Sequence, residues 1–266
     1  MKEDANRFNG LLAEQLREQV GNLMAAAQLL TPAIREQEDR KYDQYLAILN
    51  QSMYRLLRLT EHLEFTGGGD RPAARRETVE LSALCGELCR EVAPLARQCG
   101  VAFRKESGGR EVLMEGDGVL LRRMLLNLIA NALRAAGAGG SAGLRLSAEN
   151  GRARITIWDD GQGEILPEAQ DPAELVLEER LKERSGLGLG LEIAREIAAL
   201  HGGTLVYERG EDSRGVRAVV SLPVGEMCQT LKSPRMGYDP TGGFSQVLVE
   251  LSEVLPYEVF LPDDVE

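Results

Sequence analysis

Residues 184–205 read RSGLGLGLEIAREIAALHGGTL, a glycine-rich turn that runs directly into an amphipathic helix. Three glycines within five residues, at 186, 188 and 190, remove side chains and let backbone N–H groups approach a bound anion. From Leu191 the apolar residues recur at helical spacing, and Gly202 and Gly203 end the pattern. The positive end of the helix dipole then lies beside the glycines, which predicts a phosphate cradle. A flexible lid without a ligand is the alternative.

A second segment, RITIWDDGQGE at 154–164, alternates polar and apolar residues as a half-buried strand does. Asp159 comes at its end, and Gly161 and Gly163 follow. A carboxylate at a strand end can accept hydrogen bonds from a ligand, and glycines let a ligand approach the backbone closely. An aspartate that only caps the turn is the alternative.

A third segment, LLRRMLLNLIANALRAA at 120–136, has helical periodicity. It carries Asn127 and Asn131 one turn apart, on a face that is otherwise apolar. Two amides on a leucine-rich face need polar partners, so both asparagines are candidate ligand contacts.

The three segments, N-L-x-x-N-A, D-x-G-x-G and G-x-G-L-G-L, resemble in order and spacing the N, G1 and G2 boxes of sensor histidine kinases. Their ATP-binding domain belongs to a wider family with DNA gyrase B and the ninety-kilodalton heat-shock chaperone. The resemblance covers about 75–224 strongly and 1–66 more loosely, and it implies ATP and Mg²⁺ as ligands. The implied ATP-binding residues are Asn127, Asn131, Arg134, Asp159, Gly161, Gly163, Gly186, Gly188, Leu189 and Gly190.

The resemblance also assigns a role to individual residues. The aspartate matching Asp159 accepts a hydrogen bond from the amino group of adenine and so selects adenine over guanine. Asn131 offers an uncharged oxygen to Mg²⁺, which prefers oxygen ligands. Arg134 stands where the family often has lysine and supplies positive charge to a phosphate.

Two departures from related sequences bear on the reaction. Gyrase-like relatives place a glutamate four residues before the Mg²⁺-binding asparagine to activate water, whereas this chain has Asn127 there, and an amide cannot accept that proton. We therefore predict weak or no ATP hydrolysis. The lid at 165–184 lacks the phenylalanine-containing F box, so nucleotide binding is a firmer expectation than phosphoryl transfer.

The first 66 residues are predicted to form two amphipathic helices. Apolar residues recur at helical spacing over about 6–30, where Thr31 and Pro32 are expected to end the helix, and again over 42–63. An antiparallel hairpin alone cannot bury both stripes, so a homodimeric four-helix bundle is expected. Packing of the hairpin on its own nucleotide domain is the alternative.

In histidine kinases the first helix of this hairpin carries the phosphoacceptor in the pattern H-E-L-R-T-P-L. The matching stretch here, 14–20, is EQLREQV, so Glu14 occupies the acceptor position and Gln15 replaces the acidic neighbour. A carboxylate forms no stable phosphoramidate and an amide is no general base, which argues against autophosphorylation. Of the two histidines present, His62 is expected to be solvated, and His201 to close the helix after the G2 box.

Composition limits the compartment and the partners. A net charge of −11 argues against binding to nucleic acid or anionic membranes. No apolar run is long enough to span a membrane and no signal peptide is present, so a cytoplasmic location is expected. The four cysteines lack zinc-site spacing and are expected to be buried thiols.

The expected fold class is α+β, with four segments. A helical hairpin dimerisation domain covers 1–66, a linker 67–76, a two-layer α/β sandwich that binds ATP 77–224, and a C-terminal extension with one helix 225–266. The extension is expected either to cover the nucleotide domain or to act as a partner-binding or autoinhibitory helix. Three functions remain open: a degenerate kinase core, a kinase that phosphorylates a separate protein, and a scaffold that holds a response-regulator-like partner and has a vestigial pocket.

Overall fold

The computed structural model describes residues 2–35, 40–66, 76–106, 111–161, 189–209, 215–224 and 244–261. The chain divides into two compact units. One runs from Pro72 to Val247, and the other joins Met1–Arg71 to Leu248–Glu266. None of the helices within the described ranges is long and apolar enough to cross a membrane. The predicted linker at 67–76 lies outside those ranges except for Arg76.

The N-terminal unit begins with two long helices, α1 (Lys2–Arg35) and α2 (Arg40–Thr66). Arg17 near the middle of α1 donates to Glu64 near the end of α2 at 2.6 Å, as expected for antiparallel helices. Small and apolar residues fill the space between them: Ala13, Val20, Met24 and Ala27 of α1, and Leu46, Met53 and Leu57 of α2. The predicted hairpin is therefore present.

The prediction that Thr31 and Pro32 end the first helix is wrong, because α1 continues to Arg35. Proline lacks the N–H that would bond one turn back, which normally disfavours a helix interior. Here the Thr31 hydroxyl donates to the Ala27 carbonyl at 2.8 Å, and Thr31 is itself buried. Packing against the second helix stabilises helical backbone that local propensity does not.

The C-terminal residues 248–261, which we call the C-terminal strap, belong to the same unit as the hairpin. They contain most of α6 (Gln246–Leu251) and a short 3₁₀ turn at Tyr257–Phe260. The strap contacts α2, where the Tyr54 ring lies 5.2 Å from the Phe260 ring. The described part of the extension thus lies along the hairpin, a position that the sequence alternatives did not include.

The second unit contains ten helices and strands among its described residues. In order they are β1 (Glu77–Glu80), α3 (Leu81–Gln98), β2 (Ala102–Glu106), β3 (Leu113–Gly116), α4 (Gly118–Ala136), β4 (Ser141–Glu149), β5 (Arg152–Asp159), α5 (Leu189–Leu200), β6 (Thr204–Arg209) and β7 (Val216–Pro223). Five strands form one sheet in the order β2-β4-β5-β7-β6, parallel only between β2 and β4. Strands β1 and β3 form a separate antiparallel pair.

The sheet has one face packed under helices and one face that is polar. Leu144, paired with Ile157 across β4 and β5, is buried, whereas Arg145 and Arg154 on the alternate positions are exposed. Helices α3 and α4 contact β2, β4 and β5 of this sheet, and α5 contacts β6 and β7. The predicted two-layer α/β sandwich is confirmed.

Two of the cysteines line the inner face of α3. Cys85 and Cys89 are free buried thiols, and burial raises their pKa to about 12 and about 11. Cys99 is half-buried, and Cys228 lies outside the described ranges. The expectation of buried thiols is confirmed for Cys85 and Cys89.

Candidate nucleotide-binding site

Helix α4 carries the first group of candidate residues, and Asn127 is the most deeply buried of them. Its side chain is 0% exposed. The Nδ2 amide donates to the Arg123 carbonyl at 3.0 Å, whereas Oδ1 is buried and has no hydrogen-bond partner among the described residues. Buried acceptors are nearly always satisfied, so this oxygen makes Asn127 a candidate ligand contact.

The two other candidates on α4 lie further along the same helix. Asn131, one turn after Asn127, is half-buried, and Arg134 is exposed in the last turn. The helix therefore presents a buried amide, an accessible amide and a cation in succession. An oxygen donor and a cation suit a metal-bound phosphate group.

The second group lies where β5 ends, in the turn Asp159–Asp160–Gly161. Asp159 is 7% exposed, and its Oδ1 accepts from the Gly161 N–H at 3.0 Å. Burial raises the pKa of Asp159, an effect that backbone hydrogen bonds from Gly161 and Val216 partly oppose. Asp160 points elsewhere and accepts from the Ser141 N–H at 2.7 Å.

Gly161 brings this turn against the end of α4. A Cβ atom placed on Gly161 would lie 1.9 Å from the Ala135 carbonyl oxygen, so only glycine allows this approach. The site residues on β5 therefore meet the last turn of the helix that carries Asn127 and Asn131. The two motifs are remote in sequence, and the fold brings them together.

Gly215 packs against the turn that carries Asp159, and sequence reasoning missed it as a candidate. Its N–H donates to the Gly161 carbonyl at 2.8 Å, and its φ of +66° favours glycine. A Cβ here would lie 1.8 Å from the Asp159 carbonyl oxygen. The available signal was a glycine directly before the last strand, which is common in turns and not specific.

The third group lies at the start of α5. The helix begins at Leu189, and Gly190 in its first turn is half-buried. Gly163, Gly186 and Gly188 lie outside the described ranges, as does the lid at 165–184. Their proposed contacts with phosphate stay predictions.

The far end of α5 is tied to the start of α4. The helix stops as predicted, because the Gly202 and Gly203 N–H groups donate to carbonyls of its last turn. His201 Nδ1 lies 2.7 Å from the Ile197 carbonyl, and His201 Nε2 accepts from the Asp117 N–H at 2.9 Å. This geometry requires the tautomer that carries its proton on Nδ1.

Asp117 and Gly116 complete this connection. The Asp117 side chain caps α4 by accepting from the N–H groups of Val119 and Leu120. A Cβ on Gly116 would lie 2.7 Å from the His201 ring, so a glycine leaves room for the imidazole. The reading of His201 as structural agrees with these contacts.

Comparison with known proteins gives the family. Residues 116–226 match the family described as histidine kinase-, DNA gyrase B-, and HSP90-like ATPase. Sensor protein CutS of Streptomyces coelicolor is 34% identical over 173 residues, which are 62% of this chain and 40% of the relative. Sensor histidine kinase CusS of Escherichia coli is 26% identical over 223 residues, 82% of this chain and 45% of the relative. Residues 116–226 therefore form an ATPase domain of this type, and the chain is similar to the cytoplasmic part of sensor histidine kinases.

Solved histidine kinase structures share the fold. Full-length ShkA in complex with AMPPNP superposes with a TM-score of 0.65 at 23% identity, over 84% of this chain and 47% of that one. Histidine kinase ThkA in complex with response regulator protein TrrA superposes with a TM-score of 0.54 at 21% identity. The match covers 84% of this chain and 64% of the ThkA chain. The chain spans less than half the length of CutS and CusS. The family match supports ATP binding by its sandwich unit.

Proposed function

We propose that this chain is an ATP-binding sensor-kinase core that has no phosphoacceptor histidine of its own. The observation that carries the proposal is that both histidines of the chain are buried. His62 is 6% exposed and His201 is 9% exposed. Their burial supports the proposal, because an imidazole that accepts a phosphoryl group must be accessible to the nucleotide.

Each histidine is engaged in a different way. His62 Nε2 lies 3.6 Å from the Glu250 carboxylate, so the expectation that His62 is solvated is wrong. Both ring nitrogens of His201 are used within the sandwich unit. The acceptor position on α1 is Glu14, which cannot carry a stable phosphoramidate.

The nucleotide itself is proposed to be ATP with Mg²⁺. The buried, unsatisfied Oδ1 of Asn127 fits a site in which an oxygen acceptor faces a metal or phosphate-bound group. Asn131 is the proposed Mg²⁺ ligand and Arg134 a phosphate contact. Asp159 is proposed to accept the adenine amino proton beside Gly161. When bound, Mg²⁺ supplies charge neutralisation for the triphosphate.

A homodimer through the hairpin is part of the proposal. Large apolar residues of the hairpin stay exposed at helical spacing: Leu12, Leu16, Leu23 and Leu30 of α1, and Tyr42, Tyr45, Leu49 and Leu56 of α2. Since α1 and α2 are antiparallel, the two stripes fall on the same side of the hairpin. A second copy is the expected cover, giving a four-helix bundle.

We propose that the chain binds a response-regulator-like protein. The proposed location of the chain is the cytoplasm. Similarity to sensor histidine kinases supports this partner class, and the negative net charge of −11 argues against nucleic acid. A kinase acting on a separate protein and a scaffold with a vestigial pocket are the competing functions. They differ from the proposal in measurable ways.

The test is incubation of the purified chain with γ-labelled ATP and Mg²⁺, together with titration of a fluorescent adenine nucleotide. We expect saturable binding that needs Mg²⁺ and no self-labelling. The absence of saturable binding would favour the scaffold. Acid-labile, alkali-stable label on the unaltered chain would contradict the proposal.

A gain-of-function variant sharpens this test. Glu14→His restores an imidazole at the acceptor position, and Glu18→His places one a turn later as a matched control. Labelling of the Glu14 variant alone indicates that the nucleotide unit still transfers phosphate and that only the acceptor has been lost. Labelling of an added response regulator by the unaltered chain would favour the trans-acting kinase.

A further inference from the structure

The C-terminal strap is bound to α2 through its main-chain carbonyl groups. Gln51 Nε2 donates to the carbonyl oxygens of Ser252 and Leu255, at 3.2 and 2.7 Å. Arg55 Nε donates to the same Ser252 oxygen at 3.1 Å. Both carbonyls come after Leu251, the last residue of α6, so α2 binds the backbone that follows this helix.

Buried charge fixes the strap at a second point. Glu250 is 0% exposed, and its Oε2 lies 3.3 Å from Arg58 Nε and 3.6 Å from His62 Nε2. Arg58 also reaches Glu253 at 2.6 Å. A carboxylate buried without a cation is strongly destabilising, so removing either side of this pair should release the strap.

These contacts occupy a distinct side of α2. Gln51, Arg55, Arg58 and His62 recur every three or four residues, which places them on one helical face. The buried Leu46 and Met53 that face α1, and the exposed Tyr45 and Leu49, lie on other sides. The strap therefore leaves the exposed apolar stripe uncovered.

The chain order gives this contact a mechanical consequence. Residues Pro72–Val247 form the sandwich unit and stand in sequence between α2 and the strap, which belong to one unit. We propose that the strap is a clasp that docks on α2, closes the chain into a loop and holds the nucleotide-binding unit at both of its ends. When the clasp opens, that unit is attached to the hairpin through residues 67–75 alone. The inference does not depend on the proposed nucleotide chemistry.

The test cleaves the chain within residues 67–75 and measures whether the contact between the strap and α2 keeps the two pieces together. A recognition site for a specific protease is placed within 67–75 of the full chain, and the cut protein is passed over a size-exclusion column. We expect the hairpin piece and the remaining piece to elute together, because the strap stays on α2. Separation of the two pieces of otherwise unaltered protein would overturn the proposal.

Variants identify the contact that holds the pieces. Arg58→Leu and Glu250→Lys should each increase the fraction of separated pieces at least tenfold, and the second leaves α2 unchanged. Arg17→Leu, which removes the ion pair between Arg17 and Glu64, is the matched control and should behave as the parent. If the pieces of both strap-contact variants still elute together, other contacts join them and the clasp is refuted. Circular dichroism confirms that each variant keeps its helices.

Discussion

Replacing Asp159 with asparagine should weaken nucleotide binding and stabilise the empty protein at the same time. In the unaltered chain Asp159 Oδ1 accepts from the Gly161 N–H at 3.0 Å. Asparagine keeps an oxygen for this hydrogen bond but carries no charge. A hydrogen bond to a charged acceptor contributes about 1.5–3 kcal/mol. We therefore expect ATP affinity to fall roughly tenfold to 150-fold.

The effect on stability has the opposite sign because of the direction of the pKa shift. Burial raises the pKa of Asp159 above 3.8, so the folded state disfavours the carboxylate. The neutral carboxyl form contributes stability that is fully present below the unfolded pKa and is lost as pH rises through the folded pKa. Asp159→Asn should thus stabilise the nucleotide-free protein at neutral pH, and the gain should vanish as the pH approaches 4.

Two measurements check this pair of effects: titration with a fluorescent adenine nucleotide, and urea unfolding at neutral and acidic pH. Asp160→Asn is the matched control, because Asp160 bonds the Ser141 N–H through an oxygen that asparagine retains. Asp160→Asn should show neither the loss of nucleotide affinity nor the gain in stability at neutral pH. Parental affinity in Asp159→Asn would refute the proposed adenine contact, and a less stable empty protein would refute the argument from burial.

Three further predictions concern other parts of the chain. Asn127→Leu removes the buried unsatisfied oxygen, so it should abolish Mg-ATP binding while empty-protein stability in urea stays equal or rises by about 1 kcal/mol. His201→Leu leaves the Asp117 N–H without its acceptor and should lower stability in urea by about 1–3 kcal/mol, with partial recovery in His201→Gln. Leu23→Asp with Leu49→Asp, at sites 56% and 46% exposed, should shift sedimentation toward a monomer; an unchanged dimer would place the interface elsewhere.

The sandwich could be predicted in detail because its signals are local. Alternation along β4 and β5, and the positive φ angles of Asn150 and Gly151 between them, give a hairpin whose turn and register follow from neighbouring residues. The stop of α5 at Gly202 is equally local. The close approach of Gly161 to α4 could be seen only in the structure, because the D-x-G-x-G pattern does not predict which element packs against this glycine.

In the hairpin the sequence predicted the helices but not how their apolar faces divide. Leu16, Val20, Leu23 and Ala27 appear in sequence as one stripe. In the structure Val20 and Ala27 are buried against α2, whereas Leu16 and Leu23 stay exposed. Periodicity shows that apolar residues share one face of a helix. Only the packing of the folded chain decides which neighbour covers each of them.

What the sequence by itself determined is the chemistry of the site and the local elements: glycines, amides and a carboxylate in the order of a histidine kinase ATPase domain, and glutamate at the acceptor position. Only the tertiary structure decided what Gln51, Arg58 and His62 do. In sequence they are ordinary polar residues of an amphipathic helix, for which solvent is the expected neighbour. They are buried because a segment nearly two hundred residues later brings Glu250 and free carbonyls against them, and such long-range pairing leaves no periodic trace in either segment.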